Sequence, residues 1–171
     1  MPKRRKHQGF WDELWNVIGG KSMKKVFISF AVEDKFARDN LVYQAQHQEN
    51  VPFQFIDMSL KEPFDSSWKT RCRERIQGCD GVVAFISRNT PRAEGACWEI
   101  KCAIEEGVPI KGFWVHKDDP CCKPTELGSK PVVYWTWDNI TNFIDSLETI
   151  PDQSGTHGHP SQKHRVPMWT G

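Results

Sequence analysis

Gly81-Val82-Val83-Ala84-Phe85-Ile86 runs for six residues without a polar side chain. A strand with one wet face alternates polar and apolar residues, so a strand with no polar position must be covered on both faces. Helices on both sides do that covering, and the crossover connections that carry them make the sheet parallel. The rest of the chain supplies the parts. Residues 26–30, 53–56, 109–115 and 132–135 are further short apolar runs. Between them, Ala37, Leu41 and Ala45 recur at helical spacing, as do Trp68, Cys72 and Ile76, with Ser66 or Ser67 as N-cap and Gly78 as stop. A third helix is expected over residues 92–106, turning Ala96, Ile100, Ala103 and Ile104 inward and ending at Gly107. A fourth, capped by Asp138, presents Ile140, Phe143, Ile144 and Leu147. The expectation is an α/β, flavodoxin-like three-layer fold around a five-stranded parallel sheet in the order 2-1-3-4-5.

That domain occupies residues 24–150. Before it, residues 1–22 carry Lys3-Arg4-Arg5-Lys6 and then Phe10, Trp11, Leu14, Trp15 and Ile18, which a short helix would place on one side. Such a helix is marginal alone. It either clasps its own domain or a neighbouring subunit, or lies on a membrane surface as a basic amphipathic anchor. Residues 151–171 are rich in Pro, Gly, Ser and His and read as a flexible tail.

Charge is nearly balanced, with 23 Lys and Arg against 22 Asp and Glu. Nothing in that total draws the chain to nucleic acid. No run of about 18 apolar residues spans a membrane, and no leader precedes the domain, so the cytoplasm is the expected compartment. The six cysteines contain no CxxC pair and are expected to be reduced thiols, with no metal site. His157, His159 and His164 in the tail could chelate a metal only weakly.

In such sheets ligands bind beyond the carboxyl ends of the strands, at the switch point between strands 1 and 3. The segments to search are therefore residues 30–34, 57–66, 87–99 and the loop after Val115. They hold no GxGxxG, GxxxxGK[ST] or GxSxG. A phosphoacceptor Asp is absent from the end of strand 3, which is Ser87. One carboxylate is left in place to work, Glu99. On a helix whose buried stripe centres on Ile100, Glu99 lies about 100° to one side, close to the strand ends. A solvated flank position would be the ordinary reading of such a glutamate, and spacing alone does not overturn it.

Lys25-Val26-Phe27-Ile28-Ser29-Phe30 with Asp34, then Phe55-Ile56-Asp57-Met58-Ser59-Leu60, then Ser87 leading to Glu99-Ile100 and on to Ile110, together resemble a TIR-like domain. The resemblance is narrower still to the TIR-like proteins of bacterial Thoeris antiphage defence, over roughly residues 24–150. It implies cleavage of NAD+ at the nicotinamide–ribose bond, with NAD+ as substrate and no separate cofactor. The product would be an ADP-ribose-derived, cyclic signalling nucleotide sensed by a separate effector protein, and a homo-oligomer is the further expectation. Glu99 matches the catalytic glutamate. Phe30, Ala31, Asp57 and Ser59 match positions lining the nucleotide pocket. The family commonly has Trp four residues before the glutamate; here that position is Gly95, and Trp98, directly before Glu99, is the aromatic at hand to cover the substrate. The other readings are a non-catalytic TIR-like interaction module, which the eight Trp would suit, and a flavodoxin-like binder of another nucleotide or phosphate.

Overall fold

Each strand forms where the chain offers β-branched or aromatic residues between polar or glycine-bearing turns. In the computed structural model, which describes residues 23–48, 53–57, 67–117, 119–120 and 123–148, these are β1 (Lys24–Ser29), β2 (Phe53–Ile56), β3 (Gly81–Ile86), β4 (Ile110–Trp114) and β5 (Val132–Tyr134). All neighbours pair in parallel, in the order β2-β1-β3-β4-β5, as expected. The helices are α1 (Lys35–His47), α2 (Trp68–Gln77), α3 (Glu94–Glu105) and α4 (Trp137–Asp145). The terminal segments 1–22 and 151–171 lie outside the described residues.

Alternation along the strands divides the core in two. Phe27, Val82, Ala84 and Ile86 point to one side, against Trp68, Cys72 and Ile76 of α2 and Ile100 and Ala103 of α3. Val26, Ile28, Val83 and Phe85 point to the other, against Ala37 and Leu41 of α1 and Ile140, Phe143 and Ile144 of α4. All six residues of β3 are buried, which is why that strand carries no polar side chain.

Three details depart from the sequence reading. Helix α3 begins at Glu94 rather than 92, because Thr90–Arg92 forms a separate 3-10 turn. Ile104 turns outward and is 37% exposed, since the inner stripe of α3 passes through Ala96, Ile100 and Ala103. Thr136, not Asp138, caps α4: its hydroxyl accepts from the Asn139 N–H at 3.1 Å. At the far end of α4, Lys24 Nζ donates to the carbonyls of Ile144 at 2.7 Å and Asp145 at 3.2 Å, supplying a cation at the negative end of the helix dipole. Gly107, at φ +70°, takes the chain out of α3 in a conformation that costs other residues dearly.

Candidate active site

A parallel sheet brings the carboxyl ends of all its strands to one edge, and β1 ends there in Ser29. Ser29 follows Phe27 by two residues, so its side chain faces α2 and α3. It is 1% exposed, the one hydroxyl in an otherwise apolar half of the strand. Across from it, α3 presents Glu99. Ser29 Oγ donates to Glu99 Oε2 at 2.7 Å, and the Ala96 carbonyl lies 3.4 Å from the same hydroxyl.

Glu99 is 6% exposed, not solvated. Burial pushes its carboxyl up to about 8; the Ser29 hydrogen bond works against that, and the charge of Asp57 adds to it. The proton is therefore retained near neutral pH. Among the described residues no Lys or Arg pairs with Glu99, which leaves Ser29 as its hydrogen-bond partner. Cys72 of α2 and Cys102 of α3 are close enough to feel the carboxylate, but burial is the largest cause that raises both thiols.

Asp57 follows β2 at the same edge and is held twice. Arg38 Nε of α1 donates to its carboxylate, and Arg75 Nη1 of α2 donates to its main-chain carbonyl at 3.0 Å. The two arginines approach from opposite faces of the sheet. Glu99, Ser29 and Asp57 thus form one electrostatic group. Ser59 lies outside the described residues.

The remaining expected positions are arranged differently. Phe30 and Ala31 follow β1 at the correct edge, yet the Phe30 ring packs into the α1 and α4 core and is 9% exposed. Trp98 stands edge-on to Trp68, with ring centres 5.4 Å apart, and the Arg73 guanidinium sits 5.8 Å from its ring. It also lines a groove of about 380 Å³ with Pro91, Arg92, Glu94, Cys97, Lys101 and Glu126. Consecutive helical residues diverge by about 100°, so Trp98 and Glu99 serve different surfaces of α3.

The sequence reading passed over Ser29, Arg38 and Arg75 as members of this group. Ser29 carried a signal, being a polar residue at a core-facing position of a buried strand. The two arginines carried none, because surface arginines are common on helices. Among the described residues, no cluster of three or more His, Cys, Asp or Glu is arranged to hold a metal. No helix of the described residues is long and apolar enough to cross a membrane. The four described cysteines are free thiols; Cys121 and Cys122 lie outside them.

Comparison with known proteins bears on what this arrangement is. The profile of the Thoeris protein ThsB, TIR-like domain, matches residues 27–120, more than half of the chain. The chain belongs to the Thoeris ThsB TIR-like family. The matched stretch of this TIR-like domain runs from β1 through β4 and includes both Asp57 and Glu99. Among solved structures, the IL-17 receptor B SEFIR domain superposes with a TM-score of 0.50 at 11% identity, covering 73% of this chain and 95% of that one. A prokaryotic SEFIR domain gives 0.48 at 12% identity, covering 71% and 94%. At such identity the first shows a shared fold. No curated protein matches the sequence.

Proposed function

We propose that this TIR-like domain cleaves NAD+ at the nicotinamide–ribose bond and passes on an ADP-ribose-derived, cyclic nucleotide signal. The observation that supports this reading is Glu99, a carboxyl held off solvent by a single hydroxyl at the carboxyl edge of the sheet. NAD+ is the substrate and no further cofactor takes part. As the C–N bond breaks, its electron pair leaves with the pyridine nitrogen, and the cationic ring departs as neutral nicotinamide. The leaving group needs no proton. What the site must stabilise is positive charge on the ribose, as in glycoside hydrolysis.

A buried carboxylate does that well, because it works without competing water. Glu99 is protonated near neutral pH when the site holds no substrate. The cationic pyridinium of bound NAD+ favours the ionised form, as any nearby positive charge does, so Glu99 gives its proton to solvent water as the substrate binds and is a carboxylate when the oxocarbenium develops. Attack by an adenine nitrogen of the same molecule closes a ring; attack by water, which gives up a proton, yields free ADP-ribose. Asp57, pinned by Arg38 and Arg75, keeps a negative charge beside Glu99 at the same edge. The main chain at Phe30 and Ala31, with Ser59, contributes to the nucleotide-lining wall, and Trp98 buttresses α3. The reaction belongs in the cytoplasm, its product is read by a separate effector, and assembly into a homo-oligomer completes the site.

Incubation with NAD+ and chromatography for nicotinamide tests the reading. Release by the wild type and none by Glu99→Gln supports it; equal release by both overturns it. A second reading, an interaction module, is favoured by Val32, Phe36 and Tyr43, which are 65%, 47% and 59% exposed on and beside α1. A partner captured with undiminished affinity by Glu99→Gln and lost on Phe36→Asp would favour that role.

A further inference from the structure

Asp34 is a second buried carboxylate at the same edge of the sheet, 1% exposed, and no step of the proposed reaction uses it. It ends the 3-10 turn that leads from β1 into α1. Among the described residues no Lys or Arg pairs with it. Its partners come from the end of β3: Ser87 Oγ donates to Oδ2, and Asn89 Nδ2 donates to Oδ1 at 3.0 Å. Holding a carboxylate in the interior with neutral donors alone is costly, and an amide or an apolar residue would avoid that cost. A carboxylate, however, offers acceptors only. Both groups that meet it here are donors, and an amide would turn an N–H toward one of them.

The bonds continue from Asp34 to α3. Ser87 Oγ accepts from the Asn89 N–H at 2.9 Å, and Thr90 Oγ1 accepts from the Ser87 N–H at 2.8 Å. Thr90 is wholly buried. Its carbonyl accepts from the Ala93 N–H at 3.1 Å and from Cys97 Sγ at 3.2 Å, which reaches the first turn of α3. That helix has no side-chain N-cap of its own, and this chain of bonds ends on Ala93, the residue before it, and on the Cys97 thiol at its start. Two residues further along α3 than Cys97 lies Glu99.

We propose that Asp34 is a positioning residue: through Ser87, Asn89 and Thr90 it sets the rotation of α3 and so aims the Glu99 carboxyl at Ser29. Ser29 and Asp34 then tie the same strand end to the same helix, one directly and one through the β3 turn. A helix rotated even slightly would break the Ser29–Glu99 bond, because hydrogen bonds weaken steeply off their preferred geometry. The inference rests on the NAD+-cleaving reading only for its consequence in turnover; the geometric claim stands without it.

The test reads the Glu99 carboxyl by ¹³C-glutamate NMR, without substrate, in wild type, Ser87→Ala, Asp34→Asn and Leu41→Ala. Leu41, a fully buried α1 residue, serves as a control of general destabilisation. The groups that face Glu99 are Ser29 of β1, Asp57 beyond β2, Cys72 of α2 and Cys102 of α3, and none of these is altered. Loss of the Ser29 donor removes an influence that lowers the Glu99 titration, so the expected result is a midpoint above the wild-type value in Ser87→Ala and Asp34→Asn. Leu41→Ala leaves it in place. An unmoved midpoint in Ser87→Ala, with melting lowered as in Leu41→Ala, overturns the proposal; that milder variant decides the matter should Asp34→Asn not fold. In NAD+ cleavage, the same two variants lose about 10- to 100-fold in kcat with KM within about twofold of wild type. A shifted midpoint alongside a wild type that releases no nicotinamide sinks the enzymatic reading and leaves the positioning role intact.

Discussion

Asp34 and Glu99 are buried carboxyl groups at one edge of one sheet, and they are supplied differently. Asp34 accepts from two side chains, one on each oxygen, while Glu99 accepts from Ser29 on one oxygen and has no other donor among the described residues. Both are almost wholly withdrawn from water. A carboxylate with a donor on each oxygen serves the fold, since any movement breaks bonds that nothing replaces. One with an oxygen to spare, and with Asp57 for a neighbour, is kept at higher free energy and gains most from a cation brought beside it. The difference in donor supply separates a group that holds from a group that acts.

The largest effect expected from breaking this contrast is at Glu99. Glu99→Gln keeps size and hydrogen bonding and removes the charge; nicotinamide release should fall by roughly 10²- to 10³-fold or more, measured as initial rates on NAD+. The same substitution should stabilise the fold in alkaline buffer. Because the folded-state value of about 8 lies above the ordinary one for Glu, the folded protein holds this proton more tightly than the unfolded chain does. Its stability is therefore lost as pH rises through the interval from about 4.5 to about 8, and the loss is complete above that. Thermal melting of wild type and Glu99→Gln should coincide near pH 4 and diverge by about pH 8, with the variant higher. Melting curves that stay parallel across the range would show that Glu99 does not titrate as a buried group.

Asp34 should behave in the opposite sense. Asp34→Ala leaves the Ser87 hydroxyl and the Asn89 amide facing a void, and a loss of about 2–4 kcal/mol in urea unfolding is expected. A loss under about 0.5 kcal/mol would mean that the two donors find other partners and that Asp34 is no anchor.

Smaller shifts sharpen the comparison further. Ser29→Ala takes away the one donor to Glu99, so the carboxyl midpoint rises above the wild-type value of about 8, and the ascending, acid-side limb of any pH–rate profile, where the carboxylate forms, moves with it. Asp57→Asn removes the neighbouring negative charge and lowers the midpoint. Carboxyl NMR of the two variants, read together, should bracket the wild type; displacement in the same direction would contradict the assignment of these two neighbours.

Much of the architecture is written in local patterns. The apolar run of β3 announces a strand covered on both faces, and Trp68, Cys72 and Ile76 mark α2 by spacing alone. Ile104 shows where such reading gives out. It sits beside Ala103 in an apolar pair, and only the docking angle of α3 on the sheet decides which of the two is buried. The end of α4 is similar: Thr136 and Asp138 are both good caps, and the choice was made by where the chain leaves β5.

At the site, residue type and neighbourhood divide the same way. The sequence by itself determines that a glutamate stands early on the third helix, next to a tryptophan, after a strand ending in serine. It also determines sheet order and the edge at which ligands gather, because hydrophobic periodicity and the handedness of crossovers leave few alternatives. Only the tertiary structure decides that Glu99 turns toward Ser29 while Trp98 turns to Trp68, and that Asp34 is satisfied by a turn more than fifty residues away. Those outcomes depend on the rotation of one helix against a sheet of five parallel strands. Periodicity along a chain reports which face of a helix is apolar, whereas the partner of each polar side chain is settled by elements that meet only once the chain has folded.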